Sequence, residues 1–312
     1  MATAGFAVDA SLGGAYAPVL TPFGKDLGPD ADRLARQCRW LLGQGVGLAL
    51  FGTTSEGNSL SVGERMWLLE SLAEQGVALG AALAGTGCCA LTDTVRLTRF
   101  ALEQGCAGVL MLPPFYYKPV GDDGLYAYYS EVIERVGDER LRIVLYHIPP
   151  LAGVGLSAQL VGRLRAAYPA TLAGLKDSGG DWQFTQSMIE AQGPGFAVFC
   201  GSEGFLLRTM AAGGRGCISA LANINPGPIA ALCRDWREAG ATAQQRGVDA
   251  IRAVFAGHPL IPALKAALAH FRDDPGWRTV RPPLVELTPD EAVLLAGELQ
   301  HAGFAMAGEG GG

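Results

Sequence analysis

The sequence predicts a closed (β/α)8 barrel of the TIM class with a C-terminal helical extension. Three observations carry this. Eight short apolar runs recur along the chain, longer helical stretches separate them, and after the eighth run the pattern turns wholly helical. The runs are Gly14–Leu20, Gly47–Gly52, Ala78–Gly85, Gly108–Leu112, Arg142–Tyr146, Leu172–Lys176, Ala197–Gly201 and Gly216–Ser219. They are rich in Val, Leu and Ala and barely alternate, as expected of strands buried on both faces. The intervening helices include Asp32–Leu42, Val62–Gln75, Ala90–Gln104 and Ser157–Tyr168. Ser61 and Ser157 read as N-caps, and Gly43 and Gly105 as C-terminal stops. Eight such units in roughly 230 residues suit a closed parallel barrel. The rival is an open doubly wound sheet. It would want a glycine-rich dinucleotide turn after the first strand, and Thr21-Pro22-Phe23-Gly24 is not one. Helices at Pro226–Glu238, Ala241–Ala256, Pro259–Phe271 and Pro289–Gln300 follow. The expected division is a barrel over 10–239, an extension over 240–304 and a disordered tail over 305–312.

Composition narrows the function classes. Of 312 residues, 49% are hydrophobic and 17% charged, which fits a compact chain with a large core. The net charge of −6 comes without a basic block, so neither nucleic acid nor an anionic membrane is an expected partner. No apolar segment is long enough to span a bilayer, and the first twenty residues lack the pattern of a secretory leader. The seven cysteines form no CxxC pair and sit mostly in apolar runs. They read as reduced thiols of a cytoplasmic protein. The four histidines lack ligand spacing, so no metal is expected and no cofactor.

In a barrel, chemistry gathers at the C-terminal strand ends and the loops after them. Those ends carry Thr53, Thr54, Tyr116, Tyr117, Tyr146, Lys176, Ser178, Ser202 and Glu203. Lys176 is the most informative. Of 24 basic residues only Lys25, Lys118, Lys176 and Lys265 are lysines, so arginine supplies the routine surface charge. A lysine closing the run Leu172-Ala173-Gly174-Leu175 either snorkels from the mouth or pairs with Asp177, or it is a nucleophile. A lysine amine can lose its proton and attack a carbonyl, whereas a guanidinium keeps its own. Tyr146 ends the neighbouring strand, about 4.8 Å away; it either fills the barrel top or works on that amine. Thr53 and Thr54 make a plain turn or an anion nest suited to a carboxylate. Tyr116 and Tyr117 lie on a proline-bounded loop, as a packing wedge or an oligomer contact.

Taken in order, Gly52-Thr53-Thr54-x-Glu56, Pro114-Phe115-Tyr116, Tyr146-x-Ile148-Pro149 and Gly174-Leu175-Lys176-Asp177 resemble the dihydrodipicolinate synthase/N-acetylneuraminate lyase family. Ala84-Gly85-Thr86-Gly87, Gly216-Cys217-Ile218-Ser219 and Arg281-Pro282-Pro283-Leu284 extend the resemblance over roughly residues 14 to 300. Each motif alone is weak, but the ordered set is specific. The resemblance implies a class I lyase acting on pyruvate or a related 2-oxo acid. By that resemblance Lys176 forms the Schiff base, Tyr146 shuttles protons, and Thr53 and Tyr116 complete a hydroxyl relay. Thr53 and Thr54 hold the carboxylate, and Ile218 offers its backbone carbonyl near the imine. It also implies a homo-oligomer, a dimer or tetramer, in which a neighbouring subunit helps complete the relay.

Two departures bear on the second half of the substrate. Leu151 stands where dihydrodipicolinate synthases usually have a carboxylate-binding arginine. Gly201-Ser202-Glu203-Gly204 replaces the Gly-Tyr-Asp-Glu usual in sialic acid lyases. His147 also stands where asparagine is usual, and orders the strand end in our reading. With Leu151, Ser178, Ser202 and Glu203 as candidate tail contacts, the expected reaction is aldol cleavage, condensation or dehydration of a 2-oxo-3-deoxy sugar acid. The alternatives are 4-hydroxy-tetrahydrodipicolinate synthase, which joins pyruvate and aspartate semialdehyde, and a non-catalytic barrel that binds a 2-oxo acid. An arginine from elsewhere in the fold, such as Arg215, is the alternative source of a cation for the tail.

Overall fold

The computed structural model describes residues 12–308. The expectations for the first eleven residues and for the tail from 309 onward lie outside them. Eight parallel strands close in chain order into one barrel. They are β1 (Gly14–Pro18), β2 (Gly47–Leu50), β3 (Ala82–Gly85), β4 (Gly108–Met111), β5 (Ile143–His147), β6 (Leu172–Asp177), β7 (Ala197–Cys200) and β8 (Gly216–Ile218). The last pairs with the first, Tyr16 opposite Ile218, so no sheet edge is left open. The open-sheet alternative is thereby excluded. Each apolar run overlaps its strand; β5 and β6 extend one residue past theirs, to His147 and Asp177, and most of the others stop short. The first run continues to Leu20, for example, but β1 ends at Pro18.

Helices α1 (Ala31–Gly43), α2 (Val62–Glu74), α3 (Leu91–Glu103), α4 (Asp122–Val136), the short α5 (Pro149–Ala152), α6 (Ala158–Ala167), α7 (Trp182–Gln192) and α8 (Leu206–Ala211) lie between the strands. Ser61 and Ser157 are the caps expected, Ser61 in a reciprocal capping box with Glu64. Gly105 ends α3 with a positive φ. Gly43 does not stop α1: it is the last helical residue, and Gly45, at φ 78°, makes the left-handed turn two residues later. After β8 come α9 (Pro226–Asp235), which packs against β1 as the eighth barrel helix, and then α10 (Ala241–Val254), α11 (Leu260–Phe271) and α12 (Pro289–His301). Among the described residues no helix is long and apolar enough to cross a membrane.

The strand period of two sorts side chains into two cores. Tyr16, Ala49, Leu83, Leu110, Val144, Tyr146, Ala197, Phe199 and Ile218 fill the barrel interior. The alternate residues, such as Leu48, Ala82, Val109, Leu145, Leu175 and Val198, pack outward under the helices. This alternation fixes which strand-end residues face the mouth.

Candidate active site

Lys176 shares its strand face with Gly174, and its register partners are Tyr146 on β5 and Phe199 on β7. Both partners belong to the interior core, so the lysine points into the barrel between them. It is 3% exposed, with Nζ 4.2 Å from the centre of the Tyr146 ring. The Tyr146 ring presents its π face to the cation. Among the described residues Lys176 makes no ion pair. Asp177 points to the opposite face, where it accepts from the Gly179 N–H at 2.8 Å and from the Thr185 hydroxyl. Burial raises the Asp177 carboxyl and these two donors pull it back. The snorkelling and Asp177-pairing readings of Lys176 therefore fail on geometry.

The Tyr146 hydroxyl donates to Thr53 Oγ1 at 3.1 Å, across three strands' ends. Thr53 and buried Thr54 lie in the tight turn after β2, in which Glu56 N–H returns to the Thr53 carbonyl at 3.0 Å and Gly57 N–H to the Gly52 carbonyl at 2.9 Å. Among the described residues the N–H groups of Thr53 and Thr54 have no backbone acceptor. A small pocket there is lined by Gly52, Thr53, Asn58, Gly87, Leu112 and Tyr146. A larger cleft, about 480 Å³ and lined by Arg96, Arg99 and Arg135 among others, lies among α2, α3 and α4. It holds none of the strand-end residues, whereas the smaller pocket holds Thr53 and Tyr146.

The other candidates separate. Ile218 is fully buried at the end of β8, inside the barrel. Ser178 and Ser202 are half-buried at neighbouring strand ends. Gly201 lets their loops close up: a Cβ there would lie 2.1 Å from Ser178 Oγ. Leu151, on α5, is 68% exposed. Tyr116 is 75% exposed and stacks edge-on with Tyr117, so within the chain it stands outside the Tyr146–Thr53 relay. Glu203 departs from expectation. It is 0% exposed and committed, paired with Arg252 at 3.0 Å and accepting from the Ser219 hydroxyl. An acid buried this deeply needs such partners, and they come from α10 and from the end of β8. Burial raises its carboxyl while Arg252 lowers it. Arg215 is also excluded as a tail contact. It precedes β8 at the opposite end of the barrel, its carbonyl accepting from Gly14 N–H at the start of β1. His147 orders the strand end: its Nδ1 accepts the Leu156 N–H at 3.0 Å and its ring stacks on Phe184.

Sequence reasoning missed Phe199, the second wall of the lysine slot, and the Lys265–Glu56 pair behind the threonine turn. The scarcity of lysine that drew attention to Lys176 applies equally to Lys265. Its partner, however, lies more than two hundred residues away in sequence, so no local pattern reveals the pair.

The dihydrodipicolinate synthetase family profile matches residues 11–302. An uncharacterized DapA-like lyase of Chloroflexus aurantiacus is 36% identical over 285 residues, 90% of this chain and 94% of that protein. The crystal structure of dihydrodipicolinate synthase from Agrobacterium tumefaciens superposes with a TM-score of 0.86 at 32% identity, covering 93% of this chain and 99% of that one. The prophage protein YagE of E. coli, solved in complex with pyruvate, also gives 0.86, at 28% identity and 94% and 99% coverage. With the barrel, the match over nearly its whole length and these likenesses, the chain belongs to the dihydrodipicolinate synthetase family and is a Schiff-base-forming lyase.

Proposed function

We propose that Lys176 is the Schiff-base lysine, and that the enzyme splits, forms or dehydrates a 2-oxo-3-deoxy acid with a neutral, hydroxylated tail. The observation that carries this is the buried Lys176 amine beside Tyr146, whose hydroxyl is tied to Thr53. In our reading the carboxylate of the 2-oxo acid takes the N–H groups and hydroxyls of Thr53 and Thr54. The neutral amine of Lys176 attacks the 2-oxo carbon, and the carbonyl π pair moves to oxygen, which takes a proton from Tyr146. The carbinolamine nitrogen then returns a proton to the Tyr146 oxygen, and its lone pair expels the hydroxyl, which takes that proton from Tyr146 and leaves as water; a protonated imine remains beside deprotonated Tyr146. The imine is an electron sink. As the C4 hydroxyl of a 2-oxo-3-deoxy acid gives its proton to the Tyr146 oxygen, the C3–C4 pair moves into the protonated imine, leaving an enamine and an aldehyde, and the reverse steps join them. Thr53 passes the proton on from Tyr146. The Ile218 carbonyl would face the imine. Tyr116, exposed within one chain, would join the relay of a neighbouring copy, which calls for a dimer or tetramer. Five of the seven cysteines are buried and all seven are free thiols, in keeping with work in the cytoplasm.

Specificity for the tail follows from what lines the mouth. Leu151, Ser178 and Ser202 offer apolar surface and hydroxyls and no cation. Glu203, spent on Ser219 and Arg252, leaves the serines as the hydrogen-bonding groups. A carboxylated aldehyde would find no cation among these three residues, and a nearby one is Lys118, whose side chain packs against Gly153 two residues past Leu151. Several relatives named 4-hydroxy-tetrahydrodipicolinate synthase, among them one from Thermus thermophilus at 36% identity over 70% of this chain, favour the second reading, in which aspartate semialdehyde is the partner. The comparison of kcat/KM separates the two. We expect cleavage of a 2-oxo-3-deoxygluconate-type acid to exceed condensation of pyruvate with aspartate semialdehyde at least tenfold. A clear preference for aspartate semialdehyde selects the second reading and leaves the Lys176 chemistry standing.

A further inference from the structure

The turn that carries Thr53 and Thr54 is held from behind by the C-terminal extension. Two residues past Thr54, Glu56 has φ 54° and ψ 31°, the left-handed region that disfavours any residue with a Cβ. Glycine would hold that backbone without strain. A glutamate here is held by its side chain instead. Its carboxylate is an ion-pair partner of Lys265 on α11, and both side chains are 0% exposed. The other carboxylate oxygen accepts the Arg281 N–H at 3.0 Å. Lys265 Nζ also donates to the Thr279 carbonyl at 2.8 Å and lies 4.5 Å from the Phe23 ring centre. The Arg281 guanidinium continues the clamp, donating to the Ser59 carbonyl at 2.7 Å and to Glu64 at 3.0 Å. The next residue has no slack either: a Cβ on Gly57 would lie 2.0 Å from the Phe51 carbonyl oxygen.

We propose that Lys265 and Glu56 are positioning residues, a buried lock by which the C-terminal extension sets the carboxylate-binding turn of the active site. This rests on the reading of Thr53 and Thr54 as the carboxylate site. Stability alone is a poor account of the pair. Desolvating two charges offsets much of their attraction, and a neutral pair of similar size often folds as well. What a neutral pair does not supply is the pull that keeps Glu56 left-handed and so aims the Thr53 and Thr54 N–H groups. Lys265 is faced by Glu56 and Glu286 as anions and by Arg281 as a cation, and burial lowers its ammonium to about 8. The lock should therefore weaken in mildly alkaline solution.

The test uses the full-length protein, with pyruvate and borohydride as the probe of imine formation. Four variants are compared: Glu56→Gln, Lys265→Met, the double variant, and Thr54→Ala as the control for the turn. For Lys265→Met we expect the half-saturating pyruvate concentration to rise about tenfold, with the saturated trapping rate within about threefold of wild type. The double variant should regain the melting temperature that either single change loses, without regaining the half-saturating concentration. Above about pH 8 that concentration should rise in wild type and stay flat in the double variant. If the double variant regains both properties, or if half-saturation is unmoved in all lock variants while Thr54→Ala raises it, the pair is only structural and the inference fails alone. If Thr54→Ala leaves half-saturation unchanged, the carboxylate reading fails and takes the inference with it. Should Lys265→Met not fold, the double variant and Glu56→Gln carry the same comparison.

Discussion

Tyr146 touches both Lys176 and Thr53, its ring under the lysine Nζ and its hydroxyl on the threonine Oγ1. Tyr146→Phe keeps the ring and removes the proton. Turnover should fall by roughly 10²–10⁴, the usual worth of a positioned proton donor, while the half-saturating concentration of pyruvate moves little, because Thr53 and Thr54 are untouched. Steady-state kinetics checks this, and turnover at the wild-type rate would reduce Tyr146 to a packing residue. The juxtaposition of Lys176 and Tyr146 was legible, because each closes its apolar run and the two runs are neighbouring strands. Glu203 was misread for a physical reason. Its position after a strand says mouth, but its burial is set by Arg252, forty-nine residues on in another helix. Nothing local in the sequence tells an acid facing substrate from one buried against such a partner.

The end of β5 links element to function, since Tyr146 faces inward and the next residue, His147, faces out beneath α7. Burial lowers the His147 imidazole from 6.5 to about 4. Above 6.5 the ring is neutral in both folded and unfolded chains, and its contribution to stability is complete. As pH falls through the window between these values, the unfolded chain takes up a proton that the folded one refuses, so stability declines. The loss amounts to about 3 kcal/mol once pH is below the folded value. His147→Gln should remove this step. Denaturant midpoints at pH 7 and 4.5 should differ more in wild type than in the variant, and equal differences would refute the assignment. Elements themselves were readable from apolar runs and caps, because strands buried on both faces need continuous apolar sequence. Their ends were less so. β1 ends at Pro18 although its apolar run goes on to Leu20, because the buried residues past the strand pack into the core from the loop. The turn after α1 falls to Gly45, the residue with positive φ, and Gly43 stays helical.

At the scale of the molecule, closure of the sheet gathers residues from every part of the chain onto one rim. The order of motifs along the sequence predicted this, since a (β/α)8 barrel returns each strand end to the same face. The clamp of the C-terminal helices on the threonine turn could not be read that way, because it joins residues far apart in sequence by burial alone. Each barrel carries its own Lys176, whatever the exposed Tyr116–Tyr117 pair meets. The most direct test is to incubate the intact protein with pyruvate, reduce with borohydride and map the adduct by peptide mass. The account predicts one reduced pyruvyl group per chain, on Lys176, and none in Lys176→Arg, because a guanidinium is not a usable nucleophile at neutral pH. Labelling of Lys118 or Lys265 instead, or no adduct with any 2-oxo acid, would contradict it.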